Sequence, residues 1–376
     1  MLILSDLVNA LISLIIIIIA LRIKIIPNWI GFVLGIYSFI PFFLNDFLFP
    51  TSYFSDQFIY TKNLEEVRSL NFFSELNPKS YITIWFLSLL PLPFVETVKS
   101  MGFFNRLLFL ILFLWLYRKN FLSGMSLKFL IFYPSLILYT SLSLRDTVIM
   151  FLMIIGIIFF IDKKYIRCFF STTILYLIKF QNAYLMIIFY IILLFFNKKT
   201  LFFKYRYFFL ILTTFIFSFI LNDLLYLLEV FRSAFYADND GDLMTYRPIN
   251  NLKNFIILSL TSSINILIKP MFWEANNSFQ IIQSIENFFV LIFLIIFTKK
   301  AYSQNRNITI KYLLILFVGL TVYGLIVFNY GTLARYKFPF IVLYVLGISY
   351  ELFKYSGYQF GNIFTLNIKK IKKNNS

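Results

Sequence analysis

Long apolar segments alternate with short polar ones along most of the 376-residue chain. A helix that crosses a bilayer needs about 20 apolar residues, because each residue adds ~1.5 Å and the hydrocarbon is ~30 Å thick. By this length rule we expect about 11 membrane spans. They are predicted at residues 3–21, 29–45, 103–117, 129–143, 146–161, 168–180, 183–196, 206–226, 279–297, 312–329 and 338–353.

Two further apolar stretches, 81–95 and 255–268, are shorter or interrupted by proline and serine. We interpret them as re-entrant or interfacial helices within two extracytoplasmic segments, 46–102 and 227–278. The pattern as a whole predicts an all-α, polytopic bundle of integral membrane helices. We expect it to form one membrane domain over residues 1–376.

Composition supports this interpretation, since 60% of the residues are hydrophobic and 14% are charged. Soluble domains have about 45–50% apolar and about 25% charged residues. The net charge of +17 comes from clusters of Lys and Arg at the ends of apolar segments. Such clusters are typical of cytoplasmic loops next to an anionic leaflet, so the bilayer is the expected partner and no nucleic acid is expected.

The basic clusters can all be cytoplasmic only if the two doubtful stretches do not cross the membrane. The N-terminus is then outside, and the basic tail 354–376 is inside. The clusters begin at Arg22, Arg118, Lys163, Lys198, Lys299 and Lys369. Basic residues that fall on the outer side break the pattern and are candidates for function.

The chain has no histidine and one cysteine, Cys168. This excludes a histidine base or ligand and a disulfide within the chain. We expect neither a metal nor a cofactor, since no zinc, Walker or dinucleotide-binding motif is present. Asp238, Asp240 and Asp242 resemble a calcium loop in composition, but they lack its spacing and are better interpreted as a solvated turn.

The segment SLSLRDTVIM places Arg145 beside Asp146 between two apolar segments. Asp146 suits a helix N-terminus, where a carboxylate meets the positive end of the helix dipole. A cation opposes that dipole, so Arg145 is explained either by an anion that faces it or by snorkelling to the interface. Lys179, Gln181 and Asn182 lie between two short apolar runs, which indicates a water-filled cavity or a plain hairpin tip.

Further candidates follow towards the C-terminus. Arginine offers a phosphate a rigid fork of donors, and lysine offers a point charge. Glu286 falls inside a predicted span and is expected to pair with a cation. The candidate residues in this part of the chain are Arg247, Glu274, Arg335, Tyr336 and Lys337.

Five stretches carry a resemblance to a known family: LPLPFVETVKSMGFFNRLL, YPSLILYTSLSLRDT, LIKFQNA, IKPMFWEANNSFQIIQSIENF and GTLARYKFPFIV. In this order they resemble bacterial O-antigen (Wzy-type) polymerases of surface polysaccharide and their relatives among the GT-C-like glycosyltransferases. The resemblance implies a GT-C-like bundle in the bacterial inner membrane with a periplasmic active face. It implies a reaction that joins repeat units carried on undecaprenyl pyrophosphate, with a chain-length regulator protein as a further partner.

The resemblance also implies that arginines in periplasmic loops are functional, and these correspond here to Arg145, Arg247 and Arg335. We expect cationic side chains to hold the donor pyrophosphate and to stabilise it as the leaving group. A carboxylate is expected to take the proton of the acceptor hydroxyl. The expected pyrophosphate ligands are Arg145, Arg335, Lys337 and Lys179, and the candidate bases are Asp146, Glu274 and, more remotely, Asp56.

Three alternatives have different requirements. A lipid-linked oligosaccharide flippase needs basic residues through the span centres and symmetry between two halves, and the sequence has no evident repeat. A GT-C transferase that uses a polyprenyl-phosphate sugar often has an acidic pair in its first outer loop, where this chain has only the separated Asp46 and Asp56. O-antigen ligases are expected to need a histidine, so its absence favours a polymerase.

Overall fold

The computed structural model describes residues 2–45, 48, 54, 56–69, 78–89, 91–122, 124–197, 204–237 and 246–356. It is all-α: helices make up 83% of it, and the described residues contain no strand. The bounds of the described α-helices are α1 Leu2–Arg22, α2 Asn28–Ser38, α3 Ile40–Leu44, α4 Asp56–Arg68, α5 Pro78–Ser88, α6 Ser100–Arg118, α7 Gly124–Phe132, α8 Pro134–Tyr139, α9 Asp146–Ile161, α10 Tyr165–Ile178, α11 Phe180–Phe196, α12 Arg206–Ala237, α13 Leu252–Ile268, α14 Ser278–Gln304, α15 Arg306–Ile326 and α16 Tyr330–Ser356.

Among the described residues, five helices are long and apolar enough to cross a membrane. Four shorter apolar helices, α9, α10, α11 and α13, have 14 to 17 residues each. The apolar helices are those expected of a helical membrane protein. The candidate spans are Ser5–Arg22, Ser100–Arg118, Ser278–Gln304, Arg306–Ile326 and Tyr330–Lys354.

Two of the differences between the predicted spans and the observed helices have clear local reasons. The span predicted at 129–143 is divided at Pro134, because proline disfavours helical backbone at the preceding residue. Tyr133 accordingly has extended backbone, with φ −76° and ψ 108°. Conversely, α12 continues to Ala237 beyond the predicted end at residue 226, since no glycine or proline interrupts it and polar residues alone do not end a helix.

Contacts divide the chain into two compact units: residues 1–186 with 349–376, and residues 187–348. In the first unit, α6 is the central helix and contacts α1 to α5 and α9. Its candidate span is 78% buried. In the second unit, α13 packs along α15, and α14 also contacts both helices. Gly324 of α15 allows this packing, because a Cβ there would lie 2.6 Å from the carbonyl oxygen of Ser262 on α13.

Asp162 follows α9 and joins it to the end of α16 within the first unit. Its carboxylate accepts hydrogen bonds from Lys354, at 2.6 Å, and from the hydroxyl of Tyr350. Burial opposes ionisation, but these bonds and the charges of Lys354 and Lys164 outweigh it and lower the pKa of Asp162. Two segments predicted to be cytoplasmic, the loop after α9 and the end of α16, therefore lie together.

Candidate functional site

The segment of residues 140–145, here called the Arg145 turn, connects α8 to α9. Hydroxyl side chains shape its start: Thr140 Oγ1 donates to the Leu136 carbonyl at 2.6 Å, and Ser141 Oγ donates to the Ile137 carbonyl at 2.8 Å. These bonds supply donors to carbonyls at the end of α8, where the helix ladder stops. The run of hydroxyl residues after Pro134 thus ends the helix inside an apolar environment.

Buried amides hold the backbone of the Arg145 turn. Asn105 Nδ2 on α6 donates to the carbonyls of Leu142 and Leu144, both at 2.6 Å. Gln57 Oε1 on α4 accepts from the backbone N–H of Ser143 at 3.2 Å. Asn105 and Gln57 are both fully buried. The turn is therefore positioned by residues far from it in sequence.

Arg106 lies next to this frame and is 3% exposed. Its Nη1 donates to Thr140 Oγ1 at 2.9 Å, and its guanidinium stacks on the rings of Tyr37 and Phe109 at about 5 Å. Its Nη2 has no hydrogen-bond partner among the residues that the structure describes. Sequence reasoning missed Arg106, although a charged residue inside a predicted span is itself a signal of a polar interior.

Arg145 is half-buried, and its Nη1 donates to the carbonyl of Ile178 at 3.3 Å. Ile178 is the last residue of α10, and Lys179 follows it, 8% exposed. The structure thus brings together two polar segments that the sequence singled out. Within the described part of the chain, this hydrogen bond is to a neutral acceptor and Arg145 forms no ion pair, so its positive charge is not cancelled by a contacting carboxylate.

The neighbours of Arg145 have defined positions. Asp146 is the first residue of α9 and is 3% exposed, so its carboxylate lies at the positive end of the helix dipole. Asn182 is buried and donates to the Met153 sulfur at 3.3 Å, while Gln181 is half-buried. Asp146, Lys179, Gln181 and Asn182 all belong to the first unit.

Asp6 is a second buried group that sequence reasoning missed. It is 2% exposed and accepts hydrogen bonds from Thr97 Oγ1 at 2.5 Å and from Ser100 Oγ at 2.7 Å. Ser143 also bonds to this region, through the carbonyl of Val98. The start of α1, the segment before α6 and the Arg145 turn therefore lie at one end of the first unit, as expected if all three are on the same side of the membrane.

In the second unit, residues 269–274 form a different polar turn, here called the Glu274 turn. Lys269 Nζ donates to Glu274 Oε1 at 2.7 Å, and the backbone N–H of Met271 donates to Glu274 Oε2 at 3.1 Å. Burial opposes ionisation of Glu274, but these two bonds outweigh it and lower its pKa below 4.5. A lower pKa makes Glu274 a weaker proton acceptor.

Lys337 is 1% exposed and donates to Asn287 Oδ1. Asn287 in turn donates to the Lys269 carbonyl at 2.7 Å, which connects α14 to the Glu274 turn. Glu286 is close enough to Lys337 for an electrostatic interaction between the two charges. The sequence predicted a cationic partner for Glu286, and Lys337 is placed to act as one.

The remaining candidates also belong to the second unit. Arg335 is half-buried, with its guanidinium 5.9 Å from the ring centroid of Tyr336. Arg247 is exposed on a segment that Glu229 anchors by accepting the backbone N–H of Ile249 at 2.8 Å. Asp56, the remote candidate base, begins α4 in the first unit, whereas Asp46, Asp238, Asp240 and Asp242 lie outside the described residues.

Neither a protein family model nor a curated protein nor a solved structure matches this chain. The described residues contain no group of three or more histidine, cysteine or acidic side chains that could hold a metal ion. The functional interpretation therefore depends on the chemistry of the site itself.

Proposed function

We propose that this protein polymerises oligosaccharide repeat units carried on undecaprenyl pyrophosphate, at the outer face of the bacterial inner membrane and on a GT-C-like bundle. One observation carries the proposal: Arg145 is half-buried beside Lys179, and its hydrogen bond is to a carbonyl rather than to a carboxylate. A cation in this setting attracts an anionic headgroup. The diphosphate of a lipid carrier is such a headgroup and arrives within the bilayer.

The proposed reaction transfers a glycan chain from one lipid carrier to another. The acceptor hydroxyl attacks the anomeric carbon of the donor glycan, and the bond between that carbon and the diphosphate oxygen breaks. Arg145 and Lys179 stabilise the departing diphosphate. Asp146 is the preferred candidate to take the hydroxyl proton, since Glu274 is held in an ion pair. Diphosphate is already a good leaving group, so positioning and electrostatics carry most of the rate.

Two of the remaining candidates enter the proposal as substrate-binding groups. Gln181 and Asn182 are amides beside Lys179 and suit sugar hydroxyls. Arg335, Lys337, Arg247 and Tyr336 belong to the second unit, and their part in substrate binding stays a prediction from the sequence.

The test is the surface glycan made by a strain that carries Arg145→Ala in place of the wild type. We expect single-repeat glycan to remain. The amount of longer chains, which a gel separates into a ladder of bands, should fall by about 10²-fold, the usual cost of one lost group that stabilises a transition-state charge. Arg145→Lys should restore part of the ladder, because it keeps the charge but not the fork of donors. The matched control is Arg118→Ala, because Arg118 is exposed and ends α6, whereas Asn105, which holds the Arg145 turn, is near the start of that helix.

The outcomes separate the function classes. A normal ladder in Arg145→Ala at normal protein abundance would reject the proposal. Loss of all surface glycan on deletion of the gene would indicate a flippase. Chains of full length that lack one sugar would indicate a GT-C transferase that adds single residues.

A further inference from the structure

A cavity of about 480 Å³ opens in the second unit among α13, α14, α15 and α16. All of its lining residues lie within residues 187–348. Tyr344 and Leu316 form a buried floor, whereas Ile295 is 60% exposed and Leu313 is 37% exposed. The cavity is thus an apolar groove at the surface of the helices, and we call it the α14 groove.

The α14 groove has a charged mouth. Lys299 and Tyr302 line the groove near the end of α14, and both are exposed. Arg306, at the start of α15, has its guanidinium 5.8 Å from the ring centroid of Tyr302. Residues 287–350 contain no aspartate or glutamate, so this part of the sequence supplies no carboxylate to neutralise the two cations.

The positions of the lining residues fit a lipid. Leu291 and Lys299 both line the groove and are eight residues apart on one helix, which corresponds to roughly 12 Å along its axis. An acyl chain in the apolar part would therefore extend into the hydrocarbon while its headgroup stays beside the lysine. The cluster of Lys299 and Arg306 was predicted to be cytoplasmic, and the cytoplasmic leaflet is rich in anionic lipid.

We propose that the α14 groove binds an anionic glycerophospholipid, with one acyl chain along the apolar lining and the phosphate between Lys299 and Arg306. Charge complementarity selects this occupant, because basic pockets between membrane helices on the cytoplasmic side bind anionic headgroups. A zwitterionic lipid would bring its own ammonium to a mouth that already carries two cations. The proposal does not depend on the catalytic function proposed above.

The test is native mass spectrometry of the purified full chain with phosphatidylglycerol or phosphatidylethanolamine of the same acyl length. Each basic side chain near an anionic headgroup contributes about 5-fold in affinity, so we expect a preference of about 25-fold for phosphatidylglycerol. The double variant Lys299→Ala, Arg306→Ala should remove this preference. The variant Arg118→Ala, Lys119→Ala, in another exposed basic cluster, should keep it.

A second pair of variants tests the groove itself. Ile295→Trp places a large ring on its wall and should reduce binding of both lipids, whereas Ile296→Trp, on an exposed neighbour outside the lining, should not. Equal binding of the two lipids by the wild type would overturn the proposal. Tighter binding of undecaprenyl phosphate, or a dimer that Ile295→Trp disrupts, would overturn it in favour of the polyprenyl carrier or a second copy of the chain.

Discussion

The Arg145 turn and the Glu274 turn are both polar breaks between apolar helices, yet they handle charge in different ways. In the Glu274 turn, the carboxylate accepts from an ammonium at 2.7 Å, so the charges cancel locally. In the Arg145 turn, the guanidinium donates to the carbonyl of Ile178, which is neutral. A cancelled pair exerts little field on a substrate, whereas a cation on a neutral acceptor keeps its attraction for an anion.

The two turns also differ in how they are held. The ion pair of the Glu274 turn is local, with Lys269 five residues from Glu274, and the turn is also held by Asn287 on the next helix, 18 residues from Lys269. The Arg145 turn depends on long-range bonds, since Asn105 is 37 residues from Leu142 and Gln57 is 86 residues from Ser143. Its geometry therefore requires the packing of α4 and α6, and mutations on those helices should move the proposed site without touching it.

Among the variants that test this difference between the turns, Gly102→Ala should have the largest effect on stability. A Cβ at Gly102 would lie 2.4 Å from the carbonyl oxygen of Ser141 in the Arg145 turn, and a backbone atom cannot move aside without displacing the turn. We expect a loss of about 3 kcal/mol in the free energy of unfolding, at the upper end for overpacking. The control is Gly35→Ala, whose Cβ would meet Leu14 at an ordinary 3.7 Å. Denaturation of the purified variants measures the free energy of unfolding of each. Equal stability of Gly102→Ala and Gly35→Ala would refute the close approach of Gly102 to the carbonyl of Ser141.

Removing one amide that supports the Arg145 turn should have a smaller effect on stability and a specific effect on function. Asn105→Ala leaves the carbonyls of Leu142 and Leu144 without their side-chain donor, although Leu142 keeps a bond from the Leu144 N–H at 2.8 Å. We expect a loss of about 1–2 kcal/mol. The polymer ladder, normalised to the amount of folded protein, should also fall because Arg145 is no longer held in place.

Asn9→Ala provides the control for that experiment. Asn9 is fully buried in the same unit, but it donates to the carbonyl of Phe94, at 2.8 Å, outside the Arg145 turn. The Asn9→Ala variant should lose about as much stability as Asn105→Ala, but the amount of polymer per folded protein should stay at the wild-type level. If both variants lose the ladder in proportion to stability, Asn105 has no special role in the turn.

The smallest effect is expected at the Glu274 turn and depends on pH. The folded pKa of Glu274 lies below its ordinary value of 4.5, so its ionised form is favoured by folding. The stabilisation is complete above pH 4.5 and is lost as the pH falls through the lower folded value. The pair is partly exposed, so the effect should be at most about 1 kcal/mol.

Thermal unfolding between pH 6 and pH 3 checks this pH dependence, and Glu274→Gln should reduce it. Arg145→Ala should leave the pH dependence of stability unchanged, since Arg145 forms no ion pair within the described residues. If Arg145→Ala altered the pH dependence of stability and Glu274→Gln did not, the claim that the Glu274 turn contains an ion pair and the Arg145 turn does not would be wrong.

The sequence predicts some of this architecture well. The polar residues Arg145 and Lys179 mark helix ends because a charged side chain seldom remains in lipid, and the structure brings these ends into contact. The apolar pattern alone missed the division of the predicted span 129–143 at Pro134, although the cause of this division is local. Charged residues thus predicted where these helices end, whereas apolar spacing did not predict the break at a proline.

Other features could not be read from the pattern. Gln57 belongs to a segment with no clear apolar period, yet it is fully buried because it bonds to the backbone of Ser143. Arg106 is buried against Thr140 and two aromatic rings, contacts that depend on the packing of helices distant in sequence. Long-range hydrogen bonds have no signature in hydrophobic spacing, and they define most of the support of the Arg145 turn.

The most direct test of the central claim is the affinity of the purified protein, in lipid nanodiscs, for undecaprenyl pyrophosphate. The wild type and the double variant Lys269→Ala, Glu274→Gln should bind with similar Kd, because the two charges of this pair already cancel and the variant removes both. Arg145→Ala should bind about 10-fold more weakly or worse, the cost of a lost charge-assisted hydrogen bond. Unchanged affinity in Arg145→Ala, with a changed affinity in Lys269→Ala, Glu274→Gln, would contradict the assignment of the diphosphate to Arg145.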